Sequence, residues 1–419
     1  MNSLITDHLL SLMIAVPFLG IAVLTLLTDR KWVLSATLAT TLINAALAIY
    51  LWNQFGLIET GLQFVERVEW MPTFGIEYAV GVDGISLLLV LLTTILPPLC
   101  VLASWESITS RLKAFMMLIL LVEGAMMVVF TALDAFLFFM MWEVTMVPMY
   151  FMIVLWGGPN RIAAGLKYVL YSLAGSLLLL VGILALYLQA GTFNIQSLAE
   201  FSYSPESEFW IFLALFLGFA VKLPMLPFHT WLPDAHSEAP TGGSVLLAGV
   251  LLKMGGYGIL RIAVPLLPEV AHDSQTILAT LAGISIIWGG VITLRQTDLK
   301  RLIAYSSVSH MGYVLLGVSA MNSVGFSGAA FQMFTHGTIT GLLFVMVGYV
   351  YERTHTREIS EMSGLMHHLP KGGVIMVIAG LASLGLPGLS GFVAELTVFL
   401  GALEPHPVGH REPFSSRAL

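Results

Sequence analysis

The chain has 419 residues, of which 57% are hydrophobic and only 10% charged, far below the roughly 25% charge of an average soluble domain, so it reads as a polytopic membrane protein. Its net charge of −7 contains no basic block, which excludes nucleic acid as a partner. Cys100 stands alone, which excludes an internal disulfide and any cysteine-ligated iron–sulfur cluster, so no redox centre is expected in this chain.

Low-polarity stretches of about 20 residues, the length that crosses a hydrocarbon core, predict about twelve helices. Their limits are 9–27, 33–55, 84–103, 114–131, 134–156, 164–189, 209–228, 242–264, 275–294, 302–321, 325–350 and 372–403. Apolar runs this long favour an all-α transmembrane bundle over a barrel, whose strands would be short and alternating. The first run follows Asp7 and His8 rather than basic residues and reads as a permanent span, not a cleaved signal peptide.

Sorting alternate loops by side separates the charges. One set holds Arg30, Lys31, Arg111, Lys113, Arg161, Arg295, Lys300, Arg301, Arg353, Arg357 and Lys371. The other is acidic, with Glu59, Glu66, Glu69, Glu77, Asp83, Glu200, Glu206, Glu208, Glu269 and Asp273; its only basic residues are Arg67 and the helix-edge Arg261. By the positive-inside rule the N-terminus faces away from the cytoplasm.

Against this apolar background the ionisable residues inside spans stand out. Glu143, Lys222, Lys253 and Glu395 would each cost roughly 2.5–3.5 kcal/mol at the bilayer centre. Together that is about 10 kcal/mol, comparable with the stability of an ordinary domain, which points to charge movement as their use.

In chain order, Glu123 comes first, in LLVEGAMMV of the fourth span, as a further candidate. Glu143 lies in FFMMWEVTMVPMYFMIV, where Pro148 is expected to free the Val144 carbonyl and open the helix beside the carboxylate. Lys222 precedes a doubly interrupted helix, FAVKLPMLPFHTWLP, of the kind that marks ion pathways in transporters. If Glu143 and Lys222 approach, both stay charged; if they separate, each is driven toward its neutral form, so the pair can act as a switch.

The loop HTWLPDAHSEAPTGGS offers Asp234, His236 and Glu238, but their alternation sets no ligand face, so a structural loop with His229 or Asp234 forming caps and turns is expected and no metal. Lys253 sits midway along the eighth span in VLLKMGGYG, where burial can tune a lysine to exchange a proton near neutrality. His310 in SSVSHMGYVLLG and His336 in FQMFTHGTITGLLF can relay protons between deeper groups. A second interruption, SLGLPGLSGFVAEL, places Glu395 about two turns beyond Pro387. For the carboxylates and histidines the competing reading is a buried hydrogen-bonding residue that only packs helices. No P-loop, dinucleotide fingerprint or hydrolase elbow is present, so no cofactor is expected to bind this chain.

Three segments occur together: MMWEVTMVPMYFMI, KLPMLPFHTWLPDAHSEAPTGGSVLLAGVLLKMGGYG and TDLKRLIAYSSVSHMGYVLLG. Over residues 80–400 the sequence resembles the antiporter-like membrane subunits of respiratory complex I, a family shared with multisubunit cation/proton antiporters. Glutamate rather than lysine at the second interruption makes it most similar to the M-chain, or subunit 4, branch of proton-translocating NADH–quinone oxidoreductase. The resemblance implies two inverted five-helix repeats, here 114–264 and an incomplete 275–403, after N-terminal membrane helices in 1–113.

It also implies proton translocation by Glu143, Lys222, Lys253, His310, His336 and Glu395, coupled to quinone reduction elsewhere. NADH, FMN, iron–sulfur clusters and quinone would belong to partner subunits, sister antiporter-like chains would be neighbours, and a bacterial inner membrane would be the location. A multisubunit cation/proton antiporter is the alternative. From Glu404 onward, EPHPVGHREPFSSRAL stands where the family has two more helices, so residues 404–419 are an atypical tail, with a natural end, a truncation and a frame shift all left open.

Overall fold

Helix starts in this chain are written by short polar side chains. Asp29, Asp83, Asp134, Ser204, Asp298 and Asn322 each accept hydrogen bonds from backbone N–H groups of the turn that follows, satisfying donors that would otherwise be orphaned in a membrane. The computed structural model describes residues 7–56 and 61–404. Its long helices are α1 (Leu9–Leu26), α2 (Arg30–Gln54), α3 (Gly84–Ala103), α4 (Leu112–Thr131), α5 (Ala135–Trp156), α6 (Arg161–Ala190) and α7 (Pro205–Lys222), followed by α8 (Thr241–Leu266), α9 (Gln275–Thr293), α10 (Leu299–Ser319), α11 (Ser323–Thr354), α12 (Pro370–Ser383) and α13 (Ser390–Leu403).

Among the described residues, ten of these are long and apolar enough to cross a membrane. The exceptions explain the difference from the twelve expected spans. α7 opens with Pro205, Glu206, Ser207 and Glu208, which dilute its apolar character. The expected span 372–403 is two helices of 14 residues, α12 and α13, parted at the Gly385–Gly388 interruption. The expected span 209–228 ends at Lys222, and the expected structural loop after it is in fact a short helix, Trp231–Glu238.

Two further expectations are corrected. α5 runs unbroken through Pro148, so the helix is not opened beside Glu143. The acidic segment before α3, taken as loop, contains an antiparallel hairpin, β1 (Gln63–Met71) with β2 (Ile76–Val82), turned at Gly75 with φ 65°. Along VERVEW the apolar residues Val65, Val68 and Trp70 are exposed and Glu66 is buried, so the strand carries no apolar alternation that a sequence reading could find. The tail expected from 404 onward falls, beyond Glu404, outside the described residues.

Loops of like parity touch one another at each end of the bundle. At the basic end, Arg30 donates to the carbonyls of Trp105 and Ile108, Trp156 to that of Ser110, Gly158 to that of Glu238, and Arg357 pairs with Asp298. At the other end, Leu133 N–H donates to Ala79, Ala135 N–H to Phe193, and the Glu269 and Val270 N–H groups to Glu208. This is the arrangement that alternate-loop sorting predicts, and a missed helix would have scrambled it.

α8 is the centre of the bundle, with its membrane-length window wholly buried. It carries two π-helical stretches, Leu247–Leu251 and Ile259–Ala263. At Gly255 a Cβ would stand 2.5 Å from Leu223 N and 2.7 Å from Phe219 O, so only glycine lets α8 press against the end of α7.

Near the acidic end of α8, Arg261 meets Asp83 at 2.7 Å, with side-chain exposures of 10% and 1%. The same carboxylate caps α3 through Ile85 and Ser86 N–H. Removing one partner of such a pair strands the other, at a cost of about 3–5 kcal/mol. Arg261→Leu is therefore expected to lower the thermal unfolding temperature of the assembled protein sharply, and the double variant Asp83→Asn/Arg261→Leu to regain much of it. Equal losses in both, read by thermal denaturation, would contradict this account of the pair.

A buried polar line as the candidate functional site

The first group of polar side chains gathers where α5, α6 and α7 meet. Lys222, the last residue of α7, is 2% exposed. Its ammonium donates to Tyr168 Oη at 3.4 Å and stands over the rings of Tyr168 and Trp142, 5.1 and 5.9 Å from their centroids. Cation–π attraction thus replaces part of the lost hydration. Trp142 is fixed by its indole N–H donating to Ser176 Oγ at 3.1 Å.

Glu143, the next residue, lies within electrostatic range of Lys222 but is not among the ion pairs closer than 4.0 Å. Its Oε1 is buried without a hydrogen-bond partner among the described residues. The pair is loosened, not closed.

The second group begins on α8. Lys253 is fully buried, and its ammonium donates to the Ala248 carbonyl, inside the first π-helical stretch, and meets His336 Nδ1 at 2.7 Å. The His336 ring lies 5.3 Å, centroid to centroid, from that of His310. His310 Nδ1 stands 3.4 Å from Glu395 Oε1 and 3.3 Å from Gln332 Nε2, and its Nε2 is 3.1 Å from Ser383 Oγ.

Nδ1 therefore faces an acceptor and a donor together. Protonated, it can donate to Glu395; bare, it can accept from Gln332. A cavity of about 10 Å³, counted as space open to the centre of a water, is lined by His310, His336, Gln332, Ser383, Glu395 and their neighbours, enough for roughly one water. Glu395 enters it because α12 and α13 are parted before it.

Two groups missed by the sequence reading extend this line toward the basic end. His236, in the short helix, is fully buried, stacks on Phe344 at 4.6 Å, and has both ring nitrogens without a partner among the described residues. It lies within electrostatic range of both Lys300 and Lys253. Lys300, counted from sequence as a loop charge, is 7% exposed and donates to the Ala239 carbonyl. Its one available signal was its place beside Arg301 on a helix start, where consecutive residues face different ways.

Asp234, His236 and Glu238 do not converge. Asp234 pairs with Lys167 at 2.7 Å and Arg301 at 3.2 Å, and Glu238 accepts from Asn160 N–H. The line thus unites Lys253, His336, His310 and Glu395, holds Glu143 and Lys222 in a neighbouring cluster, and leaves Glu123 apart. α7 and α8 meet between the clusters in close packing: the backbone of Phe219 and Leu223 lies against Gly255, and their side chains against Gly258 and Gly256.

The model for the transmembrane family "NADH:quinone oxidoreductase/Mrp antiporter" matches residues 132–408, and that for the amino terminus of "NADH-ubiquinone oxidoreductase chain 4" matches 11–129. The chain is 44% identical over 421 residues to NADH-quinone oxidoreductase subunit M of Rhodobacter capsulatus, covering 95% of this chain and 81% of that one. It is 45% identical over 393 residues to an NAD(P)H-quinone oxidoreductase chain 4 of Synechococcus elongatus, covering 93% and 74%.

Among solved structures, a chain of respiratory complex I from Thermus thermophilus superposes with a TM-score of 0.87 at 34% identity, covering 94% of this chain and 82% of that one. A chain of the Mrp complex from Dietzia sp. superposes with a TM-score of 0.85 at 26% identity, covering 98% and 44%. The chain belongs to the transmembrane family of NADH:quinone oxidoreductases and Mrp antiporters, and within it to the chain 4, or subunit M, branch.

Proposed function

We propose that this chain carries protons through the membrane arm of an NADH–quinone oxidoreductase, driven by quinone reduction in partner subunits. NADH, FMN, the iron–sulfur clusters and quinone belong to those partners, and sister antiporter-like chains are its neighbours. The observation that carries the reading is the run Lys253–His336–His310–Glu395, in which four titratable groups meet in sequence across α8, α11, α10 and α13.

Such a run can pass a proton by local steps. Lys253 gives a proton to His336 Nδ1; a water in the cavity carries one from His336 to His310; His310 then exchanges its Gln332 contact for Glu395 as Nδ1 becomes charged. The Glu143–Lys222 pair sets the timing. When the two approach, Lys222 holds its proton against the carboxylate, and when they part the proton is free to leave toward Lys253 once water enters between α7 and α8.

In this reading the first inverted repeat, 114–264, holds Glu143, Lys222 and Lys253, and the second, 275–403, holds His310, His336 and Glu395, after N-terminal helices within 1–113. The acidic loops, and with them the N-terminus, face away from the cytoplasm of a bacterial inner membrane.

A subunit of a multisubunit cation/proton antiporter is the second reading, favoured by the superposition on the Mrp chain. Glutamate at position 395, where the antiporter relatives generally carry lysine, weighs against it. Sodium-dependent acidification of vesicles without any electron donor would favour the antiporter.

In the whole complex in vesicles, Glu143→Gln is expected to abolish NADH-driven proton uptake; normal pumping would contradict the proposal. His310→Phe removes a relay group without adding charge and is expected to slow uptake by roughly 10²-fold, the usual scale for losing a positioned acid–base group. Uptake by His310→Phe at the parent rate, measured with a pH-sensitive dye, would show that protons bypass this line.

A further inference from the structure

Glu123 is a buried carboxyl within a span that the line does not use. It lies on α4, is 1% exposed, and accepts a hydrogen bond through Oε1 from Asn44 Nδ2 on α2 at 2.8 Å. Among the described residues its other oxygen, Oε2, has no partner, and neither has Asn44 Oδ1. No ion pair joins Glu123 to a cation among the described residues; the titratable group within electrostatic range of it is Cys100 on α3, itself fully buried.

An ionised carboxylate and an amide oxygen can only accept. As an anion, Glu123 would leave two acceptors unsatisfied in an apolar interior and its charge unpaired, the costliest arrangement a buried polar group can take. One proton removes all three faults. Placed on Oε2, it makes that oxygen a donor to Asn44 Oδ1, while Asn44 Nδ2 continues to donate to Oε1. With one hydrogen bond between the two groups in place, the second would close a ring of two.

We propose that Glu123 and Asn44 form a cyclic carboxylic acid–amide pair, a site that holds one proton, locks α2 to α4, and stands outside the translocation line. The bound proton is structural. It satisfies polar atoms that have no other partner among the described residues, and it lets α2 pack against α4 without a free charge between them.

The test is infrared spectroscopy of the assembled complex at neutral pH, comparing the parent protein with Glu123→Gln. A carbonyl band of a protonated carboxyl, sensitive to exchange into D₂O, is expected in the parent and missing from the variant. Glutamine can rebuild both hydrogen bonds, so Glu123→Gln is also expected to assemble and to pump at the parent rate, whereas Glu123→Leu should lower thermal stability. Should Glu123→Gln fail to assemble, Asn44→Leu serves instead: it is expected to move the parent carboxyl band to higher frequency by removing its hydrogen bonds.

Absence of any band assignable to Glu123 would overturn the proposal, for instance if an ordered water donates to both free oxygens and the group is ionised. Loss of proton uptake in an assembled Glu123→Gln complex would overturn it as well. The Glu143→Gln experiment bears on transport and the Glu123 band on this pair, so either can fail alone.

Discussion

A lysine with no exposure and no carboxylate in contact is the constraint around which this bundle is arranged. Lys253 needs acceptors for its N–H groups at the centre of the most buried helix. One comes from its own helix, where the wider π-helical turn of Leu247–Leu251 directs the Ala248 carbonyl to a side chain five residues later; such turns recur at functional sites because they release a backbone group from the helical ladder. The other comes from His336 on α11. A histidine nitrogen is the acceptor that lets the contact do more than hold the lysine, since it can take the proton instead of only sharing it.

The two polar clusters differ in how tightly they are made. From Lys253 to Glu395 each group has a neighbour within one proton step or one water. Between Glu143 and Lys222 there is attraction without contact, and the lysine rests on aromatic faces. Loose pairing is what a moving element requires, because a closed buried ion pair costs several kcal/mol to break. Lys222 also sits at the C-terminal end of α7, whose dipole favours a cation there, and the chain turns away at once through residues 223–230. The close contact between α7 and α8 at Gly255 stands between the two clusters.

Much of this was legible in the sequence. Bilayer-length apolar runs gave the helices, loop charges gave their alternation, and the ionisable residues within the runs were conspicuous because their neighbours are apolar. Proline and glycine marked both interrupted helices, so Lys222 and Glu395 were read in the right places. Legibility failed where the deciding fact is tertiary. His236 looked like a loop residue because its segment is rich in proline and polar residues; its burial comes from α11, more than a hundred residues away, which supplies Phe344. Lys300 counted as a surface cation because nothing local shows that the Ala239 carbonyl lies over it. Pro148 was given too much weight, since a membrane helix flanked by packed neighbours can pass through a proline without opening. The first strand of the hairpin before α3 carries no apolar alternation that would mark it.

The central claim is that protons cross by way of these side chains, with water completing the path between Lys222 and Lys253. The most direct measurement is an electron cryo-microscopy map of the complex during turnover, at a resolution that shows ordered water. The account predicts at least one state with waters joining Lys222 to Lys253 and filling the cavity between His336, His310 and Glu395. A pumping complex in which the α7–α8 contact stays dry in every state would contradict it.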